Sequence, residues 1–285
     1  MELQRTLWSG IKQMNTVIYD TIVKNKELIN NNQFQELYNQ LYDSKNTAEL
    51  TKVLLEAGIN PAPYFNKRIP SFCFYDTDLT NIELNSSCSQ IGDYSFYEAA
   101  VKNIDLKNIN QIGISSFERC KVEHLDIGNC IIRDSAFRYC NRLKSLDCKD
   151  VVIQQSGFAK CTSLTDVKVS SVGPGSGWLG KFAFSGCSQL KNINLEYFSQ
   201  FGNRALQGTA IEEVTLGNEC IHVDSNVFKN CKQLKKITCL SGKTNLNKDT
   251  FWTDEQQLTI VCLRNSEVHD QLNSMNNPFI SIEFI

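Results

Sequence analysis

The stretch from Ile112 to Ile127, IGISSFERCKVEHLDI, decides how the chain is read, because it recurs in altered form along most of the sequence. Its counterparts are IGDYSFYEAAVKNIDL from Ile91, IRDSAFRYCNRLKSLDC from Ile132, IQQSGFAKCTSLTDVKV from Ile153 and VDSNVFKNCKQLKKITC from Val223. An anchor aromatic falls at Phe96, Phe117, Phe137, Phe158, Phe184, Phe228 and Phe251, with Leu206 in its place once and Phe74 in a weaker first copy; successive anchors lie 20 to 26 residues apart. Five residues before each of the clear anchors stands an apolar residue: Ile91, Ile112, Ile132, Ile153, Leu179, Phe201, Val223 and Leu246. A unit of about 21 residues cannot bury its own apolar side, so neighbouring copies must stack around a shared core.

Each copy also supplies an alternating triplet: Ile82-Glu-Leu84, Ile104-Asp-Leu106, Leu125-Asp-Ile127, Leu146-Asp-Cys148, Val167-Lys-Val169, Ile193-Asn-Leu195, Val214-Thr-Leu216, Ile237-Thr-Cys239 and Ile260-Val-Cys262. With a side-chain period of two, the outer members point inward and the middle one outward, and the triplets are expected to stack into one long parallel sheet. The shared frame, I-x-x-x-[SAG]-F-x-x-C-x-x-L-x-x-[IVL]-x-[LIVC], resembles the leucine-rich repeat, in particular the BspA-like variety with its I-G-x-x-A-F-x-x-C-x-x-L core. The likeness covers residues 72 to 265 and departs from the family in the turn after each strand, where LDIGNCIIRD and VTLGNECIHV replace the usual I-P-x-S-V. It implies an α/β-type repeat solenoid with a parallel strand column, and binding or adhesion with no ligand named.

One segment offers a competing reading. GPGSGWLGK, from Gly173 to Lys181, contains G-x-G-x-x-G and G-x-x-x-x-G-K, the shapes of nucleotide loops. A phosphate cradle works only between a strand and a helix whose N-terminal amides aim at the anion. Here Leu179 holds the slot five residues before Phe184, so another repeat turn follows, and Phe182 stands where a magnesium-holding Ser or Thr is required. The segment is therefore read as a longer turn bulging from the solenoid, with Trp178 at its tip as a candidate binding element.

Composition excludes several classes. The 29 Lys+Arg against 31 Asp+Glu, with no basic block, argue against nucleic acid. No apolar run approaches the roughly 18 residues of a membrane span, and the amphipathic start, MELQRTLWSGIKQMNTVIYD, lacks a signal-peptide core, which places the expected location in the cytoplasm or on a virion. Cys120, Cys140, Cys161, Cys187 and Cys231 stand three residues after the anchor, and Cys148, Cys239 and Cys262 take strand core slots, so packing accounts for most of the 12 cysteines as reduced thiols. Cys73, Cys88, Cys130 and Cys220 fall at strand edges or turns, where an exposed thiol is allowed. With no CxxC pair and three histidines, neither a zinc site nor a catalytic triad is indicated, and no cofactor is called for. His124, two before Asp126, is read as part of a solvated pair.

What remains is the outward column: Glu83, Asp105, Asp126 and Asp147, then Lys168 and Asn194. Four adjacent acids repel one another unless compensated. Three readings stand: a surface neutralised by Lys107 and Lys149, a face that selects a basic partner, and a cation site. The first seventy residues read as helical, with a stripe Leu3, Leu7, Ile11, Met14, Ile18 and Ile22, a second segment from Gln33 to Tyr42, and a third from Asn46 that stops before Gly58. The division expected is a helical cap or self-association module over 1–68, a solenoid over 69–265 and a C-terminal cap over 266–285. The segment through LTKVLLEAGINP resembles those on repeat proteins of phages and gut bacteria. The function expected is a non-enzymatic scaffold that recognises a macromolecule, a protein in the first instance. A glycan-binding adhesin, or a part of a phage or surface assembly anchored by the N-terminal helices, is the alternative.

Overall fold

The computed structural model describes Tyr38 and residues 44–56, 58–170, 177–247, 249–251 and 256–285. The helix expected over residues 2–29 and the glycine-rich residues 173–176 lie outside them, as does all of the second helical segment except Tyr38.

Every repeat begins with a short strand that ends in the apolar slot before the anchor. These strands are β1 (Arg68–Ile69), β3 (Gln90–Ile91), β5 (Gln111–Ile112), β7 (Ile131–Ile132), β9 (Val152–Ile153), β11 (Gly177–Leu179), β13 (Phe198–Phe201), β15 (His222–Val223) and β17 (Asn245–Leu246). They pair in parallel and in that order as one nine-stranded sheet. The triplets form a second column, but the single sheet expected from them needs correction, because it is divided into three. β2 (Asn81–Ile82) pairs with β4 (Asn103–Ile104); β6 (His124–Ile127), β8 (Ser145–Lys149), β10 (Asp166–Ser170) and β12 (Asn192–Ile193) make the second piece; β14 (Glu213–Leu216), β16 (Lys236–Cys239), β18 (Leu258–Cys262) and β19 (Ile280–Phe284) make the third. An isolated bridge between Leu106 and Ile127 ties the first two pieces together.

Between the two columns lies a turn centred on the anchor, and it carries its own ladder. Amides of Ser115, Phe117 and Arg119 donate to the carbonyls of Asp134, Ala136 and Arg138 in the next repeat at 2.9, 2.7 and 2.9 Å. Ser135, Phe137 and Tyr139 repeat the pattern onto Gln155, Gly157 and Ala159. To aim every second N–H along the axis, the residues two before and two after each anchor from Phe74 to Phe228 adopt positive φ, as at Ser115 (47°), Arg119 (63°), Ser135 (58°) and Tyr139 (59°). Such angles cost an L-residue roughly 1–2 kcal/mol each, a cost the interturn hydrogen bonds and the buried anchor offset.

The core follows from the same stacking. Phe74, Phe96, Phe117, Phe137, Phe158 and Phe184 are fully buried, and their rings stack with centroids 4.8 to 5.4 Å apart and planes within 10°. The file breaks at Leu206, and in that repeat the slot five residues earlier holds Phe201 where its neighbours carry Ile, Leu or Val; both are fully buried, so volume lost at one position is restored at the other. Beside the rings, the thiols do more than fill space. Cys140, Cys161, Cys187 and Cys231 donate from Sγ to the carbonyls of Phe117, Phe137, Phe158 and Leu206 in the preceding repeat, at 3.0 to 3.1 Å. The allowance for an exposed thiol at Cys73, Cys88, Cys130 or Cys220 is corrected: all four are buried, the last three because the slots just before the nine-stranded sheet face the core, and Cys73 because it lies beside the anchor Phe74 under Thr51. Burial pushes the Cys130, Cys148 and Cys239 thiols up to about 12 and that of Cys220 to about 11.

Both ends are covered. Helix α1 (Ser44–Glu56) buries Leu50 and Leu54 against the first repeat, and Thr51 links Tyr38 Oη (2.7 Å) to Cys73 Sγ (3.4 Å). It stops where Gly58, at φ 74°, closes the last turn with its N–H on Leu55. At the other end, helix α2 (Glu267–Met275) carries Gln271, whose amide accepts from the Leu246 N–H at 2.7 Å and donates to the Thr244 carbonyl at 2.9 Å. A side chain thus takes the place of the tenth strand and leaves β17 without an open edge there.

Replacing the mid-file ring by Phe137→Ala should cost about 3–5 kcal/mol in urea or thermal unfolding, because rigid neighbours on both sides cannot close the gap. Ellman's reagent should find no rapidly reacting thiol in the native protein and 12 after denaturation.

Candidate binding face

The acidic column is set by strand register. Asp126 lies opposite Asp147 on the next strand and Asp147 opposite Lys168 on the one after. Glu83 and Asp105 follow the paired residues Ile82 and Ile104 and continue the row toward the N-terminus. All five side chains are exposed. Lys107 sits among them, with Nζ 3.1 Å from Asp126 and its backbone N–H donating to Asp105 Oδ1 at 3.0 Å. The hydrogen bond and charge of Asp126, and then of Asp105, hold the Lys107 amine above its ordinary value. Among the described residues Glu83 and Asp147 form no ion pair, so half of the row is compensated and half is not.

A second outward row runs beside it: His124, Ser145, Asp166 and Asn192 stand in register on successive strands. His124 Nδ1 lies 2.8 Å from Ser145 Oγ, and Asn192 donates to Asp166 at 2.6 Å. Hydrogen bonds from Thr165 and then Asn192 lower the Asp166 carboxyl. The Ser–His contact has the form of a nucleophile and base, but both groups lie on an open sheet and no hydrogen bond joins His124 to a carboxylate among the described residues. That arrangement neither excludes water nor orients an imidazole. No cluster of three or more His, Cys, Asp or Glu suited to a metal occurs among the described residues.

Two candidates from the sequence stand apart from this face. Asn194 uses its amide on the backbone, accepting from the Val169 N–H and donating to the Val169 carbonyl, both at 2.7 Å. It substitutes for the next strand residue, and the second piece of the sheet ends beside it. Trp178 was expected at the tip of a bulge; it lies within β11, in register with Val152 on one side and Gln200 on the other. It is 40 % exposed, and with Ile131 and Val152 it makes an apolar row on the outer side of the nine-stranded sheet.

The structure also presents a group that sequence reasoning missed. Phe72 stacks on Tyr94 at 5.0 Å and Tyr75 on Tyr97 at 5.2 Å, four half-buried rings along two neighbouring turns. The signal was present as aromatics at matching offsets from Phe74 and Phe96, which the search for buried anchors passed over.

No helix among the described residues is long and apolar enough to cross a membrane. The sequence profile of the BspA type leucine-rich repeat region matches the chain in six copies, over residues 67–174 and 151–271. A leucine-rich repeat protein from Bacteroides ovatus ATCC 8483 superposes with a TM-score of 0.57 over 80 % of this chain and 56 % of its own, at 21 % identity, a likeness of fold. The chain thus spans little more than half of that protein's length. A leucine rich cell surface protein from Faecalibacterium prausnitzii A2-165 aligns over 62 % of this chain and 60 % of its own at 18 % identity with a TM-score of 0.38. The pneumococcal vaccine antigen PcpA aligns over 78 % and 77 % at 16 % identity with a TM-score of 0.30. No curated protein matches the chain in sequence.

Asn194→Ala should lower stability by about 1 kcal/mol in thermal denaturation, because the Val169 N–H and carbonyl lose their partner at a half-buried position.

Proposed function

Because this chain belongs to the BspA-type leucine-rich repeat family, a family of repeat scaffolds, we propose that it is a non-enzymatic binding scaffold whose partner is a protein held on the strand face. The row Glu83, Asp105, Asp126 and Asp147 carries this reading. It is exposed, in register over adjacent repeats and only partly neutralised by Lys107. Strands about 4.8 Å apart force the carboxylates close together, and a partner surface bearing Lys or Arg relieves that repulsion. Lys168, next in register, limits the acidic stretch and fixes the direction in which a charged partner lies.

A second reading, a glycan-binding adhesin, draws on the stacked rings Phe72, Tyr75, Tyr94 and Tyr97, since aromatic surfaces suit the apolar faces of sugars. Its binding element is on the turns and not on the strands, so the two readings separate by mutation. Assembly or self-association through the N-terminal helix, with the chain as part of a phage or surface particle, is a proposal about residues outside those described.

The test is affinity capture with the wild type against the triple variant Asp105→Lys, Asp126→Lys, Asp147→Lys. Partner recovery should fall about tenfold or more in the variant and decline with salt in the wild type. Equal recovery of the same proteins removes the acidic row from the function.

A further inference from the structure

A cleft of about 640 Å³ opens on the side of the solenoid between the anchor turns and the triplet strands, lined by Asp76, Glu98, Arg119, Lys121, Asn141 and Arg142, with Tyr139 at its wall. Its origin is a change in repeat length. From the anchor to the strand the chain takes 8 residues in the repeats of Phe96 (to Ile104) and Phe117 (to Leu125), and 9 in those of Phe137 (to Leu146) and Phe158 (to Val167). The extra residue bows outward as a turn at Asn141 and Arg142, beside the shorter segment at Lys121. A step is left where the two kinds of repeat meet, and the cleft lies against it.

The chemistry of the cleft is divided. At the Arg142 end the side chains offer donors. Neither Lys121 nor Arg142 forms an ion pair among the described residues, and Asn141 already accepts from Thr162 through Oδ1, which leaves its N–H groups. Arg119 is held in orientation, with Nη1 3.6 Å from the Glu98 carboxylate and the guanidinium 5.3 Å from the Tyr139 ring centre. At the other end stand Glu98 and Asp76, the latter paired with Lys52 at 3.3 Å and still largely exposed. Four of these residues, Asp76, Glu98, Arg119 and Tyr139, occupy the left-handed position two after the anchor. Of the later repeats, two keep Lys160 and Asn230 there and two take Gly186 and Gly208, the less strained choice.

From this we infer that the cleft binds an extended peptide segment of mixed charge, with an acidic residue on Arg119, Lys121 and Arg142 and a basic residue on Asp76 and Glu98. The cations are spread over successive repeats and do not converge on one point, so they match carboxylates along a strand better than a single phosphate. The acidic end opposes a uniformly anionic polymer such as a sulfated glycan. Three repeat steps of about 4.8 Å, at roughly 3.3 Å per extended residue, separate the two charges by about four positions. The site is distinct from the strand face and does not depend on the partner proposed there.

The probe is the synthetic peptide GTKTVTEEG carrying fluorescein, followed by anisotropy on the full chain. The wild type should give saturable binding that exceeds that of the all-acidic GTETVTEEG and the all-basic GTKTVTKKG. Lys121→Glu with Arg142→Glu should weaken it about tenfold or more, while circular dichroism shows an unchanged fold, as expected for two exposed, unpaired side chains. The Asp105, Asp126 and Asp147 charge-reversal variant should bind the peptide as the wild type does, which separates failure of this site from failure of the strand face. No saturation, unchanged affinity in the double variant, or tighter binding of a heparin-derived oligosaccharide than of the peptide would each overturn the assignment.

Discussion

No single repeat of this protein can satisfy its own backbone. Each turn hands its N–H groups to carbonyls one repeat further on, at 2.7 to 2.9 Å in the turns of Ser115 to Arg119, while the short strands reach back, as Gly113 and Arg133 do to the carbonyls of Ile91 and Ile112, so the rise from one repeat to the next is fixed by hydrogen-bond length and not by side-chain preference. With the rise fixed near 5 Å, an anchor at a constant offset must meet the same anchor above and below. Flat rings fill that spacing face to face, and a thiol beside them reaches back to the preceding carbonyl. The core is therefore a consequence of the ladders. Where the anchor changes to Leu206, the change is absorbed within its own repeat by Phe201, since the spacing cannot give way.

This hierarchy explains what the sequence disclosed. Identity at a fixed offset is visible in one dimension, so the Phe file, the apolar slots, the cysteine positions and the membership in a leucine-rich repeat class could be read from the chain. The nine-stranded sheet could not, because strands such as Gln90–Ile91 and Gln111–Ile112 are two residues long and show no alternation. Nor could the roles of Asn194 and Gln271. Both amides complete a strand's hydrogen bonds from a distance of 25 residues in sequence, a relation that only register reveals. The acidic row was legible as a list, but its partial neutralisation by Lys107 depends on which way one flexible side chain turns. The cleft was hidden for a different reason: a one-residue difference in segment length is trivial in the sequence and becomes a step only when unequal repeats are laid side by side.

The outcome is a molecule whose interior is uniform and whose surfaces are not. The same stacking that repeats Phe and Cys inside repeats positions outside, and those outward positions are free to differ from repeat to repeat. On the strand column they hold acids in the first half. On the nine-stranded sheet they hold Ile131, Val152 and Trp178 in one stretch and polar residues in others. On the turns they hold rings, acids and cations in sequence. Different faces can thus be altered independently while the ladders remain as they are.

The left-handed turn positions show how far this separation extends. Chirality sets the difficulty, since an L-residue at φ near 60° brings its Cβ toward a carbonyl while a mirror-image residue would rest there at ease. A chain made only of L-residues has glycine as its other escape, and takes it at Gly186 and Gly208. Glycine displays nothing. By keeping Glu98, Arg119, Tyr139 and Lys160 at these angles, the protein accepts local discomfort in those turns in return for a legible exterior, and the handedness of its building blocks becomes the price of its vocabulary.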